Sequence, residues 1–330
     1  MWIIPFVNPD GYIANQLTPN RPVIRKNRRP TCANKYESGV DINRNFPVAW
    51  QRGQFPMCGE EYQGTAPFSE PETQAIKSIC DRKAFKAAMN FHTFGSMLTH
   101  PYNFAPTPDK ARLKIPDDNH IYEELQSVFK FDKFGPAIKT VGYTAPGESD
   151  DWLYSEKGII SMSPEVGPES GNFFPPAKEI AAIDSRNFDR AMHLVVKSGL
   201  QLSTSWKRGA ADDEVLVELQ NAGMSPSAGE AVGVAISGLG DAAAVTAEDG
   251  PVAASVSSTV LAFKVPPLPR RSRRSLRIRP ASSEGSATLC ALEAGAGVCQ
   301  CLAASGALSG ASPGLPTLVS AGATDALGTL

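Results

Sequence analysis

Long apolar runs are missing from this sequence: no stretch of about 20 apolar residues occurs, so no membrane span is expected. A surplus of either charge is missing as well. The 32 Lys and Arg stand against 34 Asp and Glu, a formal net charge of −2, which leaves no electrostatic footprint for nucleic acid. Histidine is scarce, with 4 residues in 330, so an imidazole within an ordered pattern stands out. The opening Met1-Trp2-Ile3-Ile4-Pro5-Phe6-Val7 is apolar, but it lacks a basic start and a small-residue cleavage site and is too short for a signal peptide. It reads as a buried strand. At 330 residues the chain is long enough for a sizeable core and for more than one domain.

What is present is a series of polar motifs in a fixed order. Asn8-Pro9-Asp10-Gly11-Tyr12 is a turn signal. A basic segment with Arg25 and Lys26 follows, then Asp41-Ile42-Asn43-Arg44-Asn45, Tyr62-Gln63-Gly64 and Ser69-Glu70-Pro71-Glu72. The last of these opens a helix to about Lys83, with Ser69 as N-cap, Pro71 in the first turn and Ala75, Ile76, Ile79 and Cys80 on one face. Ala84 to Phe91 reads as a strand that delivers His92 at its C-terminal end, where sites of α/β sheets gather. Tyr143 comes next, then Ser149 as the cap of a short helix from Asp150 to Glu156, and a strand from Gly158 to Pro164 that delivers Glu165. A helix from Pro175 to Gly199 closes the unit, with Ile180, Ile183, Phe188, Met192, Leu194 and Val195 on its buried face.

In order and spacing these motifs resemble the zinc carboxypeptidases, the family of the pancreatic carboxypeptidases A and B, over about residues 1 to 200. The resemblance implies an α/β unit, a central mixed sheet with helices on both faces, and hydrolysis of the C-terminal peptide bond of peptides or proteins. It places Arg25 on the scissile carbonyl and oxyanion, Asn43 and Arg44 on the substrate's terminal carboxylate, and Tyr143 as the phenol that closes over that carboxylate. A guanidinium fork suits a carboxylate because two parallel hydrogen bonds form at once. Glu165 becomes the general base and acid, and His92 one of three protein ligands of a zinc ion. Asp150 falls at the floor of the pocket for the terminal side chain, where an acid favours Lys or Arg. Cys32 and Cys58 lie where the family carries a loop disulfide, which implies an oxidising, extracellular or secretory compartment. The expected partners are peptide C-termini and the expected state is a monomer.

The resemblance also implies a His-x-x-Glu pair, carrying the other two zinc ligands, well ahead of Asn8. Seven residues precede Asn8, so the chain is expected to begin inside the catalytic domain and, as given, to be impaired. The alternative is an inactive binder of peptide C-termini. His120-Ile121-Tyr122-Glu123 has the right spacing, but it comes after His92 within a helix between Pro116 and Phe129 and reads as a solvated pair. Lys26, Arg28 and Arg29 read as a solvated basic loop, and His100 and His193 as structural or surface residues.

Beyond the catalytic-type unit, residues 1–204, the sequence divides into a linker (205–211), a small β-sandwich-like domain (212–280) and a low-complexity tail expected to be disordered (281–330). The arginines from Arg270 to Arg279 suggest an exposed edge strand.

Overall fold

A computed structural model describes residues 1–18, 23–107, 113–114, 118–199, 201–208, 215–225, 268 and 272–279, together with the strands at 231–235, 244–247, 250–251, 254–257, 260–264, 288–292 and 299–303. The chain divides into two units, Met1–Val196 and Lys197–Leu330. Among the described residues no helix is long and apolar enough to cross a membrane.

The first unit begins with a departure from expectation. Trp2 to Val7 forms no strand; Trp2 and Ile3 are 60% and 70% exposed. No described strand pairs with this segment, and without a neighbour its backbone groups turn to solvent. Asn8 then starts helix α1 (Pro9–Leu17) in place of the expected turn. Its Oδ1 accepts from the Gly11 N–H at 2.9 Å and Pro9 fills the first turn, so one side-chain chemistry serves as turn signal and helix cap alike. Asn15 in α1 holds Ile24 by two bonds of 2.8 Å, one to its N–H and one to its carbonyl. Asn8 Nδ2 donates to the Arg25 carbonyl at 3.1 Å. Together they fix the backbone that carries Arg25.

Helix α2 (Pro71–Arg82) starts one residue later than the Ser69 cap predicts, with Glu70 at the N-cap and no side-chain capping bond. Ser69 is instead held by Asn45, whose Nδ2 donates to its Oγ at 2.9 Å. Of the predicted face, Ile76 and Cys80 pack on the core cluster of Phe46, Trp152, Leu153 and Ile159, while Ala75 is exposed. Phe46, Phe68 and Trp152 meet at ring-centroid distances of 5.2–5.5 Å, within the range of attractive aromatic geometry.

The expected strand before His92 is split into β1 (Ala87–Met89) and β2 (His92–Thr93). Strand β3 (Met97–Thr99), helix α3 (Asp118–Phe129), strand β4 (Lys133–Gly135), helix α4 (Ala137–Thr140) and helix α5 (Ser149–Lys157) follow. Gly158 closes α5 in the left-handed region, φ 64°, where glycine has no Cβ penalty, and β5 (Ile160–Val166) begins. Strand β5 is therefore two residues later than predicted and contains Glu165. The sheet runs β1-β5-β3-β4, with β2 also on β5; β1 and β2 are parallel to β5 and β3 is antiparallel to it, a mixed sheet with accompanying helices. Helix α6 (Ala177–Ser198) buries a narrower stripe than predicted: Ile183, Asn187, Leu194 and Lys197 are buried, whereas Ile180, Phe188, Met192 and Val195 are exposed. The buried positions advance by four, seven and three residues, steps that keep to one helix face.

The second unit is antiparallel β. One sheet has the order β10-β9-β13-β7-β6, from β6 (Leu202–Arg208), β7 (Val215–Asn221), β9 (Ala244–Ala247), β10 (Gly250–Pro251) and β13 (Arg273–Arg279). The other runs β11-β12-β8-β14-β15, from β8 (Ala231–Ala235), β11 (Ala254–Ser257), β12 (Val260–Lys264), β14 (Thr288–Leu292) and β15 (Cys299–Ala303). Strand β6 thus enters the stretch read as linker, and β14 and β15 fall within the stretch read as tail; the remainder of that tail lies outside the described residues. The arginine-bearing β13 is an interior strand between β9 and β7, not an edge. It can be so because side chains alternate: Leu276 is buried while Arg273 and Arg277 face out.

Asn45 ties the first unit together. Fully buried, it donates to the carbonyls of Gln63 and Ala66 and to Ser69, each at 2.9 Å, and accepts from Thr73 Oγ1 at 2.8 Å. Gly64, at φ 84°, lets the chain pass so close that an added Cβ would lie 2.8 Å from Asn45 Nδ2. Asn45→Ala would leave several of these buried partners unsatisfied. A loss of roughly 2–4 kcal/mol is expected, seen as a lower urea midpoint with unchanged slope.

Candidate active site

The site is built outward from Asp41. Its carboxylate is buried and accepts from Arg25 Nε at 2.7 Å through Oδ2 and from the Asn43 N–H at 3.0 Å through Oδ1. The second bond caps the 3-10 turn Ile42–Arg44, which turns Asn43 and Arg44 toward the same region. Burial alone would raise the Asp41 pKa; Arg25 and Arg44 outweigh it and hold the acid below its ordinary value. Arg25 is raised in turn by Asp41, and its side chain remains 39% exposed, with both terminal nitrogens unpartnered among the described residues.

Asn43 joins three segments. Its Oδ1 accepts from the Ser149 N–H at 3.1 Å and from Ser149 Oγ at 2.9 Å, and its Nδ2 donates to Glu148 Oε1 at 2.9 Å. The backbone N–H of Ser149 fixes which way the amide points. Nδ2 therefore also faces His92 Nε2, 3.4 Å away. Ser149 thus holds Asn43 instead of capping α5; Glu148 occupies the N-cap position. Gly147 makes this approach possible: at φ 76°, an added Cβ would lie 2.3 Å from the Arg44 carbonyl oxygen. Its carbonyl and N–H pair with Phe46 N–H at 3.0 Å and Val48 carbonyl at 2.9 Å.

His92 and Glu165 are register partners on the parallel strands β2 and β5. Burial, then Arg25, lowers the His92 pKa to about 4, so its imidazole is neutral. Burial, then Glu148, raises Glu165 to about 7, with Arg25 and Arg44 opposing. Tyr143 is half exposed; burial raises its pKa, while the charges of Arg44, Arg25, Glu165 and Glu61 all act on it. Arg25, Asn43, Arg44, His92, Tyr143 and Glu165 thus share one electrostatic neighbourhood.

Asp150 lies deeper, within reach of the charges of Glu148 and Glu165. It is fully buried beneath the start of α5, with its oxygens bonded to Asn90 and, at 2.7 Å, to Ser163, and burial pushes its pKa well up. Cys32 and Cys58 form a disulfide. Lys26 is no solvated residue: it is buried, donating to the carbonyls of Glu37 and Gly59 and so bracing the disulfide loop. Arg29 pairs with buried Glu70 at 2.7 Å. The His120–Glu123 pair is an exposed contact on α3, and His100 is buried and stacked on Tyr122.

Two acids escaped the sequence reading. Glu148 is buried, with Oε1 on Asn43 and with the Asn103 amide beside its carboxylate. Glu61 pairs with Arg44 at 2.7 Å. The available signals were an acid directly before Ser149 and one directly before the Tyr62-Gln63-Gly64 turn.

A family model described as zinc carboxypeptidase matches residues 1–190, and the chain belongs to that family. It is 30% identical over 171 residues to carboxypeptidase B of Rattus norvegicus, covering 47% of this chain and 38% of that protein. It is 32% identical over 161 residues to carboxypeptidase A6 of Homo sapiens, covering 46% of this chain and 36% of that protein. Metallocarboxypeptidase A of Trichophyton rubrum is 31% identical over 197 residues, or 54% and 44% of the two chains. The chain therefore spans less than half the length of these relatives. Bovine thrombin-activatable fibrinolysis inhibitor, in complex with tick carboxypeptidase inhibitor, superposes with a TM-score of 0.47 at 27% identity, over 59% of this chain and 69% of that one.

The family implies zinc. An amide N–H can only donate, so the Asn43 contact fits an unprotonated His92 Nε2, the state a metal ligand requires. One imidazole is not a site, however. Catalytic zinc is held by three protein ligands, and among the described residues no three His, Cys, Asp or Glu side chains converge on a metal position. The residues described do not by themselves fit the ion.

A titration checks the Glu165 environment. With 13C-labelled glutamate and a chelator present, its carboxyl should titrate near 7 instead of 4.5. The raised value means that the folded chain holds this proton more tightly, so ionisation removes stability as pH rises between about 4.5 and about 7. Glu165→Gln should be more stable relative to the parent at about pH 8 than at about pH 4 by thermal melting.

Proposed function

We propose that the first unit supplies the substrate-holding half of a metallocarboxypeptidase that hydrolyses the C-terminal peptide bond of peptides or proteins. The observation that carries this reading is the convergence of Asn43, Arg44, Arg25, Tyr143 and Glu165 around His92. Arg44 and Asn43 receive the terminal carboxylate, and the half-exposed Tyr143 phenol adds a donor from the solvent side. Arg25, anchored through Nε alone, offers its two terminal nitrogens to the carbonyl of the bond to be cut and to the oxyanion it becomes. Glu165, with a pKa near 7, can take a proton from water and return it to the leaving amine at neutral pH. His92 would give one neutral nitrogen toward the zinc of the family. The Cys32–Cys58 bridge supports an oxidising, extracellular or secretory setting.

A second reading, a binder of peptide C-termini without hydrolysis, is favoured by the lack of a three-ligand group among the described residues. The chain incubated with zinc and a short peptide separates the two. Release of the C-terminal residue, lost by 10²-fold or more in Glu165→Gln, supports the enzyme; peptide binding without release supports the binder. Either reading expects Arg44→Lys to weaken binding of a free C-terminal acid by roughly 10- to 100-fold, since lysine cannot supply the guanidinium fork. Unchanged affinity in calorimetry would remove Arg44 from the site.

A further inference from the structure

The group expected to grip a ligand's carboxylate already holds one. Arg44 is 2% exposed at its side chain, and its Nη2 donates to Glu61 Oε1 at 2.7 Å. Its Nη1 donates to the Asn43 carbonyl at 2.9 Å, and its Nε is buried with no partner. The guanidinium is therefore closed to a ligand until one of its neighbours moves. The Asn43 carbonyl is backbone within the turn capped by Asp41 and cannot leave. Glu61 can: its side chain is 40% exposed, and its carboxylate makes no described bond other than the one to Arg44. The backbone beneath it is anchored, since the Tyr62 carbonyl accepts from the Asp41 N–H at 2.8 Å and the Tyr62 N–H donates to Gly59 at 3.3 Å. Only the side chain has to swing.

We propose that Glu61 sets the affinity of this site for acids as an internal competitor, a carboxylate that occupies the Arg44 position a peptide's C-terminal carboxylate would take. Resting on the function proposed above, the inference adds a competition: the ligand must displace Glu61. A free acid can do so, because it replaces the charge-assisted bond that the buried Nη2 gives up when Glu61 leaves. A C-terminal amide cannot, because it brings no charge. Glu61 thus lowers the affinity for every acid, which must displace it, and leaves the affinity for amides, which do not, unchanged. Glu148 does not play this part: it is buried, and its Oε1 is fixed on Asn43.

The test compares the parent chain with Glu61→Gln, using acetyl-Ala-Phe and acetyl-Ala-Phe-amide as probes in titration calorimetry. The glutamine still accepts from Nη2 but carries no charge, which keeps the fold and weakens the competitor. The acid should bind about tenfold more tightly to the variant, the worth of one charge-assisted hydrogen bond, with no change for the amide. Equal acid affinity in both chains, or equal tightening of acid and amide, overturns the proposal. Acid binding to neither chain overturns the proposed function and this inference with it. Should Glu61→Gln fail to fold, NMR of the parent decides: on adding acetyl-Ala-Phe, the Glu61 carboxyl 13C signal should move toward that of a free glutamate as the Arg44 side-chain 15N signals shift. An unmoved Glu61 signal under saturating acid overturns the proposal.

Discussion

A carboxylate taken out of water has to be answered by charge, and the site is organised around that requirement at Asp41. The one acid orients Arg25 through Oδ2, caps the turn that carries Asn43 through Oδ1, and accepts from the Arg44 N–H through its backbone carbonyl. Three groups proposed to meet a ligand take their positions from a residue that need not touch it. The same buried charge lowers the cost of placing two guanidinium groups close together, because each arginine faces Asp41 more favourably than it faces its neighbour.

Around this node the titratable groups divide in a way useful for chemistry. Asp41 is held ionised by its arginines, His92 is kept neutral by burial and nearby positive charge, and Glu165 is left near the middle of the neutral range. Groups of the same kind thus occupy different protonation states because their surroundings differ, the arrangement through which one site handles both a fixed charge and a movable proton.

Much of this was legible in the sequence because the motifs are local statements. Asn8-Pro9-Asp10-Gly11 names a side-chain cap, although reading it as a turn missed that the cap begins α1. Asp41-Ile42-Asn43 encodes a capped turn within three residues. Glu148 and Glu61 were not legible, because their significance depends on partners supplied by folding: Glu148 meets Asn43 across 105 residues of sequence and Glu61 meets Arg44 across 17. Burial could not be read either. Lys26 looked like one of several loop cations until the carbonyls of Glu37 and Gly59 closed on it. The apolar start misled for the opposite reason, since a strand pattern states a preference and only a neighbouring strand can fulfil it.

The parallel pairing of β2 with β5 sets His92 opposite Glu165 through backbone hydrogen bonds alone. Two residues 73 positions apart become neighbours with no direct bond between their side chains, and His92 Nε2 meets Asn43 Nδ2 instead. The arrangement is unforgiving in one respect. Strand faces alternate with every residue, so inserting a single amino acid directly ahead of Glu165 would turn the carboxyl to the far side of the sheet while leaving the buried run Ile160–Pro164 on its own faces. Such a change would yield a folded, soluble-looking protein in which the acid and the imidazole no longer meet.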